Sequence, residues 1–322
     1  MARTIVGILR GGSSSEYDSS LKSGAALLQA LPEDRYDTRD IFIDRNGLWH
    51  SRGMPAEPAR ALSQVDVVLN ALHGGAGEDG TVQRILQRMG IPYAGSGALP
   101  ASISLNKIAA RNVLRSAGIR IPAGISFTVR DGTTADMAMK VFSLFPAPYV
   151  VKPPMEGSSF GIVIAETLID LPDAIGDVLD AFGSALVEEY VLGREASVGV
   201  IENFRNEQLY TLPPAQIRIP TGSRYLTRKL ISDANVDYEV PSNFTHEEKQ
   251  AIADMARAAH QALGLSHFSN ADIMVTKHGP YLLEVNASPH LHDKAPFHHM
   301  LQSVGSSVKD FAEHAVSLAE QH

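Results

Sequence analysis

The chain contains no cysteine. That absence removes disulfides, thiolate nucleophiles, zinc ribbons and iron–sulfur clusters together, and it fits a reducing compartment. Any metal must therefore sit on oxygen or imidazole. An excess of positive charge is missing too, since 28 Lys and Arg face 36 Asp and Glu, for a net charge of −8. A broad electrostatic grip on nucleic acid or on an anionic membrane would work against that field, so neither is expected as a partner. Phosphate, if bound, must be bound locally. No apolar run approaches the length a bilayer demands, and Ile5 to Leu9 stops at Arg10 without a signal-peptide cleavage pattern. A cytoplasmic location is expected. There is no G-x-x-x-x-G-K phosphate loop, no internal repeat and no low-complexity segment.

What is present is a globular composition, 322 residues with 44% hydrophobic, enough for two or three domains. Short apolar runs alternate with helical patterns through the first hundred residues. Thr4 to Leu9, Thr38 to Asp44 and Val65 to Leu72 read as strands, Ser19 to Leu31 and Thr81 to Met89 as helices, which predicts an α/β unit with a parallel sheet. After Gly95-Ser96-Gly97 the character shifts. A helix near Asn106 to Ala117 leads into β-branched sequence, and Tyr149 to Lys152 with Ile162 to Ile164 reads as a hairpin with a long Gly/Ser tip. Helix Pro172 to Phe182 and strand Ala185 to Tyr190 follow, then short strands near residues 196–201, 208–211 and 216–219 that look antiparallel. The span from Pro220 to Phe244 has no period, as in a lid. Thr245 with Glu248 forms a capping box for a helix ending before Gly264, and strands Ala271 to Val275 and Tyr281 to Val285 carry acidic residues at their ends. The expected boundaries are 1–98 for an N-terminal α/β domain, 99–184 for a central one, and 185–322 for a C-terminal one with a lid loop at 220–244. The fold class is α/β, with α+β character in the C-terminal half.

Three groups of residues could carry chemistry. Gly75-Ala76-Gly77-Glu78-Asp79-Gly80 matches G-x-G-x-x-G, but Glu78 and Asp79 would repel a pyrophosphate inside the loop, so a glycine turn is the better reading. Asp272, Glu284 and Asn286 are oxygen donors on two neighbouring strands, and the period of two puts Glu284 and Asn286 on one face, a set suited to Mg²⁺. Lys107, Lys152 and Lys229 are cations in an acidic chain, and Lys152 precedes a turn, Glu156-Gly157-Ser158-Ser159, whose amides could face phosphate. Alone each lysine reads as surface charge. Combined with the oxygen triplet they point to a nucleoside triphosphate.

Seven strings occur in order along the chain: Gly11-Gly12-Ser13-Ser14-Ser15-Glu16, Ala71-Leu72-His73-Gly74, Gly77-Glu78-Asp79-Gly80-Thr81, Tyr93-Ala94-Gly95-Ser96-Gly97, Val151-Lys152-Pro153, Glu156-Gly157-Ser158-Ser159 and Glu284-Val285-Asn286-Ala287-Ser288-Pro289. Together they resemble the D-alanine–D-alanine ligases of the ATP-grasp superfamily over nearly the whole chain. The resemblance implies an ATP-grasp fold of three domains, ATP with two Mg²⁺ (Mn²⁺ being an alternative), amino-acid substrates, a homodimer, and ligation through an acyl phosphate for peptidoglycan precursors. It implies phosphate contacts from Lys107, Lys152 and Lys229 and from the turn of Glu156, Ser158 and Ser159, with Glu188 and Glu195 flanking adenine and ribose. Asp272, Glu284 and Asn286 would hold the ions. Glu16 and His73 would receive the first amino acid, with Ser158 tying Glu16 to the lid, and Ser288 would line the substrate site.

The departures cluster where the peptide bond would form. Asn270 stands where the family places an arginine, which removes a fixed positive charge from the oxyanion. His290 stands where a glycine lends its N–H, and Leu291-His292-Asp293-Lys294-Ala295-Pro296 replaces the pattern that would bind the acceptor carboxylate. Leu230 replaces a lid tyrosine. Lys294 with a histidine is the expected substitute for the missing positive groups. Ligation with another acceptor, and ATP binding without ligation, are the alternatives.

Overall fold

A computed structural model describes residues 3–218 and 236–321. The chain runs β1 (Thr4–Gly11), α1 (Tyr17–Ala30), β2 (Tyr36–Ile43), β3 (Trp49–Ser51), β4 (Met54–Pro55), α2 (Pro58–Ala61), β5 (Val67–Asn70), α3 (Thr81–Met89) and β6 (Tyr93–Ala94). These strands form one sheet ordered β4-β3-β2-β1-β5-β6, parallel from β2 to β6, with β3 and β4 added antiparallel at one edge. A parallel sheet is covered on both faces, and β1 is accordingly apolar through its middle, with Val6, Ile8 and Leu9 buried. Leu9, Ile41, Trp49 and Leu86 pack on one side. The other side, with Val6, Ile8, Val67 and Leu69, packs on residues from the far end of the chain, Phe297, Leu301, Phe311 and Val316.

Next come α4 (Ala98–Leu105), α5 (Lys107–Ser116), β7 (Gly124–Thr128), α6 (Thr134–Phe142), β8 (Tyr149–Lys152), β9 (Val163–Ala165), α7 (Leu171–Phe182) and β10 (Ser184–Glu189). The second sheet is antiparallel in the order β7-β10-β8-β9, and α6 and α7 close its core around Met137, Tyr149, Ile175 and Val187. Strand β10, which the sequence reading assigns to the third segment, is therefore an inner strand of the second sheet. The boundary expected at 184/185 falls at the start of that strand, because pairing with β7 and β8 is a long-range choice that local pattern does not encode.

The third sheet gathers β11 (Arg194–Phe204), β12 (Glu207–Thr211), β13 (Ala215–Arg218), β14 (Asp237–Glu239), β15 (Phe268–Thr276) and β16 (Gly279–Asn286), with order β14-β13-β11-β15-β16 and β12 pairing β11. Helix α8 (His246–Ala262) covers it through Ile252, Ala256 and Ala259. The Thr245 hydroxyl accepts from the Glu248 N–H while the Glu248 carboxylate accepts from the Thr245 N–H, so the expected capping box is complete. Residues 237–239, inside the span read as an unpatterned lid, form a strand against β13. Residues 219–235, with Lys229 and Leu230, lie outside the described residues. The chain ends with α9 (Pro296–Ser303) and α10 (Val308–Ala319), the two helices that return to the first sheet. Among the described residues no helix is long and apolar enough to cross a membrane.

Candidate active site

The site begins with a sheet register. Asp272 on β15 faces Glu284 on β16, Asn270 faces Asn286, and on the other side of β15 Ser197 of β11 faces Asp272. Residues at i and i+2 share a face of a strand, so Glu195, Ser197, Asn270, Asp272, Glu284 and Asn286 form one polar face. The register shifts between Asp272 and Ile273, and a bulge at that point sets how the acidic side chains are aimed. The three oxygen donors expected from spacing are thus neighbours. Burial, reinforced by the charges of Glu284 and Glu195, pushes the Asp272 carboxyl well above its ordinary value. Burial and the Glu284 charge push Glu195 up to about 7. Buried acids repelling one another this way form a hard-oxygen set whose repulsion a divalent cation would relieve.

Two lysines face the acids. Asn106 caps α5 by accepting from the N–H groups of Ile108 and Ala109, both at 3.1 Å, which fixes Lys107 at the first helical position. The Lys107 Nζ donates to the Glu156 carbonyl at 2.6 Å and lies 3.1 Å from Glu284 Oε2. Burial would lower the Lys107 pKa, but the Glu284 carboxylate outweighs it and the shift is upward. Burial would raise Glu284, and the charges of Lys107 and Lys152 outweigh it downward. At the end of β8 the buried Lys152 pairs with Glu188 of β10, and Arg111 of α5 pairs with the same carboxylate. Glu188, expected beside adenine, is thus held by two cations. Arg111 escaped the sequence reading because its partner lies on another element.

The turn between β8 and β9 reaches across to the first sheet. Ser15 Oγ donates to Glu156 Oε2 at 2.7 Å, and Ser158 Oγ donates to Glu16 Oε1. Ser158 and Ser159 hold left-handed backbone, φ 48° and 56°, a conformation costing non-glycine residues on the order of 1–3 kcal/mol each and typical of ligand-clamping turns. Glu16 is the N-cap residue of α1, but its side chain makes no capping bond, leaving the carboxylate for Ser158 and for His290, whose Nε2 is 3.3 Å away. Burial would raise the Glu16 carboxyl; the hydrogen bond and charge of His290, aided by His73 and Ser158, hold it down at about 2. The buried His73 donates to or accepts from Ser23 Oγ at 2.9 Å and stacks on His290, ring centroids 4.0 Å apart and 5° from parallel. Burial and then the His290 charge keep His73 well below its usual range.

With that geometry in view, the chain matches the D-ala D-ala ligase C-terminus over residues 113–317 and the D-ala D-ala ligase N-terminus over 50–96. The chain belongs to the D-alanine–D-alanine ligase family. It is 33% identical over 98% of its length to the D-alanine–D-alanine ligase of Desulforudis audaxviator, covering 98% of that protein, and 35% identical over 89% to that of Geobacter sulfurreducens, covering 84%. The solved D-alanyl-alanine synthetase A of Vibrio cholerae superposes with a TM-score of 0.86 at 25% identity, each chain covered in full. The Bacillus anthracis D-alanine–D-alanine ligase complexed with ATP shares the fold, with a TM-score of 0.81 at 24% identity, over 99% of this chain and 98% of that one. The ATP-grasp fold expected from the sequence is therefore the fold of this member.

The positions read from the sequence as acceptor-side departures, Asn270, His290 and Lys294, make the following contacts. Asn270 donates to Ser197 Oγ at 2.9 Å and to Asp272 Oδ1 at 3.2 Å, so its amide is spent inside the acidic face. Lys294 is exposed, and His290 is turned to Glu16. The backbone at His290 lies outside the left-handed region, so the position tolerates a side chain. Ser288 lines a small cavity with Asn70 and Phe268 beneath this segment. His298 and His299 point to Gln302 and Tyr238, and no cluster of three His, Asp or Glu able to hold a metal occurs among the described residues. The triplet of two carboxylates and an amide is a smaller set, of the kind completed by phosphate oxygens and water.

Proposed function

We propose that the chain is an ATP-dependent ligase that joins D-alanine to a second amino acid, for peptidoglycan precursors, through an acyl phosphate. The observation that carries this reading is the sheet register that lines Asp272, Glu284 and Asn286 against Lys107 and Lys152, across a docked turn from Glu16. Glu16 would hold the ammonium of the first amino acid, leaving its carboxylate toward the lysines. A carboxylate is a poor electrophile; taking the γ-phosphoryl group of ATP, with ADP leaving, turns one of its oxygens into a leaving group. The second amine then attacks the acyl carbon, phosphate departs, and a proton is lost from nitrogen. Lys107 and Lys152 neutralise the phosphoryl charge in transit, and Glu188 with Arg111 keeps Lys152 aimed. Mg²⁺ held by Asp272, Glu284 and Asn286 would supply further charge neutralisation at the phosphates. Glu195 would meet the ribose and Lys229 the phosphates.

A second reading changes the acceptor. It is favoured by Asn270, whose committed amide cannot replace a fixed charge at the oxyanion. Losing such a donor costs about 3–4 kcal/mol of transition-state stabilisation. Phosphate release with D-alanine, then with a panel of second amino acids and product mass, decides between them. The parent should turn over with ATP and Mg²⁺, Glu284→Gln should lose that turnover with an intact fold, and Lys152→Ala should weaken ATP binding by calorimetry. Turnover of Glu284→Gln at the parent's rate, or no ATP binding by the parent, would sink the proposal.

A further inference from the structure

The side chain of His290 holds the Glu16 carboxylate from within the site. Its Nε2 reaches Glu16 Oε1 at 3.3 Å, its ring is stacked on His73 at 4.0 Å, and Leu291 N, the next amide, donates to Ser23 Oγ at 3.1 Å. Ring and backbone are thus fixed from two sides. The other oxygen-directed bond on Glu16 comes from Ser158, and Gly157 lies so close that a Cβ there would overlap the Glu16 carboxylate. Little of that carboxylate is left for a ligand.

We propose that His290 is a specificity-determining residue of the donor site, an internal partner that the ammonium of the first amino acid must displace from Glu16. The inference rests on the reading of Glu16 as the ammonium receptor. Both groups need the same carboxylate, so binding is a competition. The groups facing that ring are Glu16 from the β1–α1 junction, His73 after β5 and His292 from its own segment, with Glu78 3.6 Å behind His73 and Lys22 of α1 acting on His292. Glu16 is the carboxylate among them that contacts the ring. The imidazole Nε2 and a substrate ammonium both need Glu16 Oε1, the oxygen that Ser158 also engages. Removing the imidazole must therefore lower the KM for the first amino acid.

The test is D-alanine-dependent phosphate release in the parent, His290→Gln and His290→Gly. Expected is a first-site KM about tenfold lower in both variants than in the parent, the equivalent of ~1.4 kcal/mol. Glutamine keeps the backbone N–H and Cβ, so a lower KM there isolates the ring. Variants that keep the parent's first-site KM overturn the proposal. A second measurement needs no substrate: the His290 Cε1–H resonance should move on Glu16→Gln in the free protein. If it does not move, the internal pair is absent and the proposal falls, whereas a resonance that moves in a parent that never releases phosphate indicts the function reading instead.

Discussion

Glu78 shows how much one side chain can say about pH. It sits in the glycine turn that mimics a dinucleotide loop, buried, accepting the Gly74 N–H at 3.2 Å. Burial, then the charge of Glu16, raises its carboxyl from 4.5 to about 8. The fold favours the protonated form, so this contribution to stability is whole below 4.5 and is lost as pH rises through about 8. Glu78→Gln, which keeps the acceptor and cannot ionise, should melt higher than the parent at pH 8, by on the order of a few kcal/mol, with the gap closing toward pH 5. Equal melting temperatures at pH 8 would show that Glu78 is not strained there. The sequence exposed Glu78 as a misfit for pyrophosphate, and the reason was sound, but its burial depended on packing against α3 and the first sheet. The same holds for Glu16 and Asp272, legible as residue types in the right places. The orientation of His290 and the engagement of Asn270 with Ser197 were not legible, because rotamers are chosen by neighbours far away in the chain.

At the scale of elements, the turn between β8 and β9 is the piece that joins two sheets into one site. Gly157 has no left-handed backbone to excuse it, so its requirement is space alone. Gly157→Ala should push the turn off Glu16 and break the Ser15 and Ser158 bonds, lowering kcat/KM by about 10- to 100-fold. The turn meets the core of the second sheet at Phe160, whose ring lies 5.8 Å from that of Phe182, and Gly157 is not part of that contact, so the melting temperature should stay near the parent's. A large fall in melting temperature together with normal activity would contradict this. Elements with local signals were readable: α3 and β8 fall where the pattern placed them, and the Thr245–Glu248 box marks α8. Helix α4 was missed because it starts after Gly95-Ser96-Gly97 with Pro100 in its first turn and carries no clear apolar stripe. The pairing of β10 with β7 and β8 was missed because strand partners are set by topology.

The whole molecule is closed by its own C-terminus. Phe311 of α10 is buried, its ring 5.2 Å from both Phe268 of β15 and Phe297 of α9, in the core that also holds Val6 and Val67 of the first sheet and Leu27 of α1. Phe311→Ala should cost about 3–5 kcal/mol, read as one cooperative loss in urea unfolding that affects the first and third sheets together. Separate transitions, with the first sheet untouched, would show that α10 merely rests there. The arrangement also bears on synthesis. The face of β1 and β5 that carries Val6, Ile8 and Val67 leaves the ribosome well ahead of the helix at 308–319 that packs on it. Until residues 296–319 emerge, that face has α1 but not the two C-terminal helices to cover it, and presents part of an apolar sheet to chaperones and to neighbouring nascent chains. Glu16 and His73 flank this sheet, so the residues proposed to receive the first amino acid are translated well ahead of the helices that complete the support beneath them.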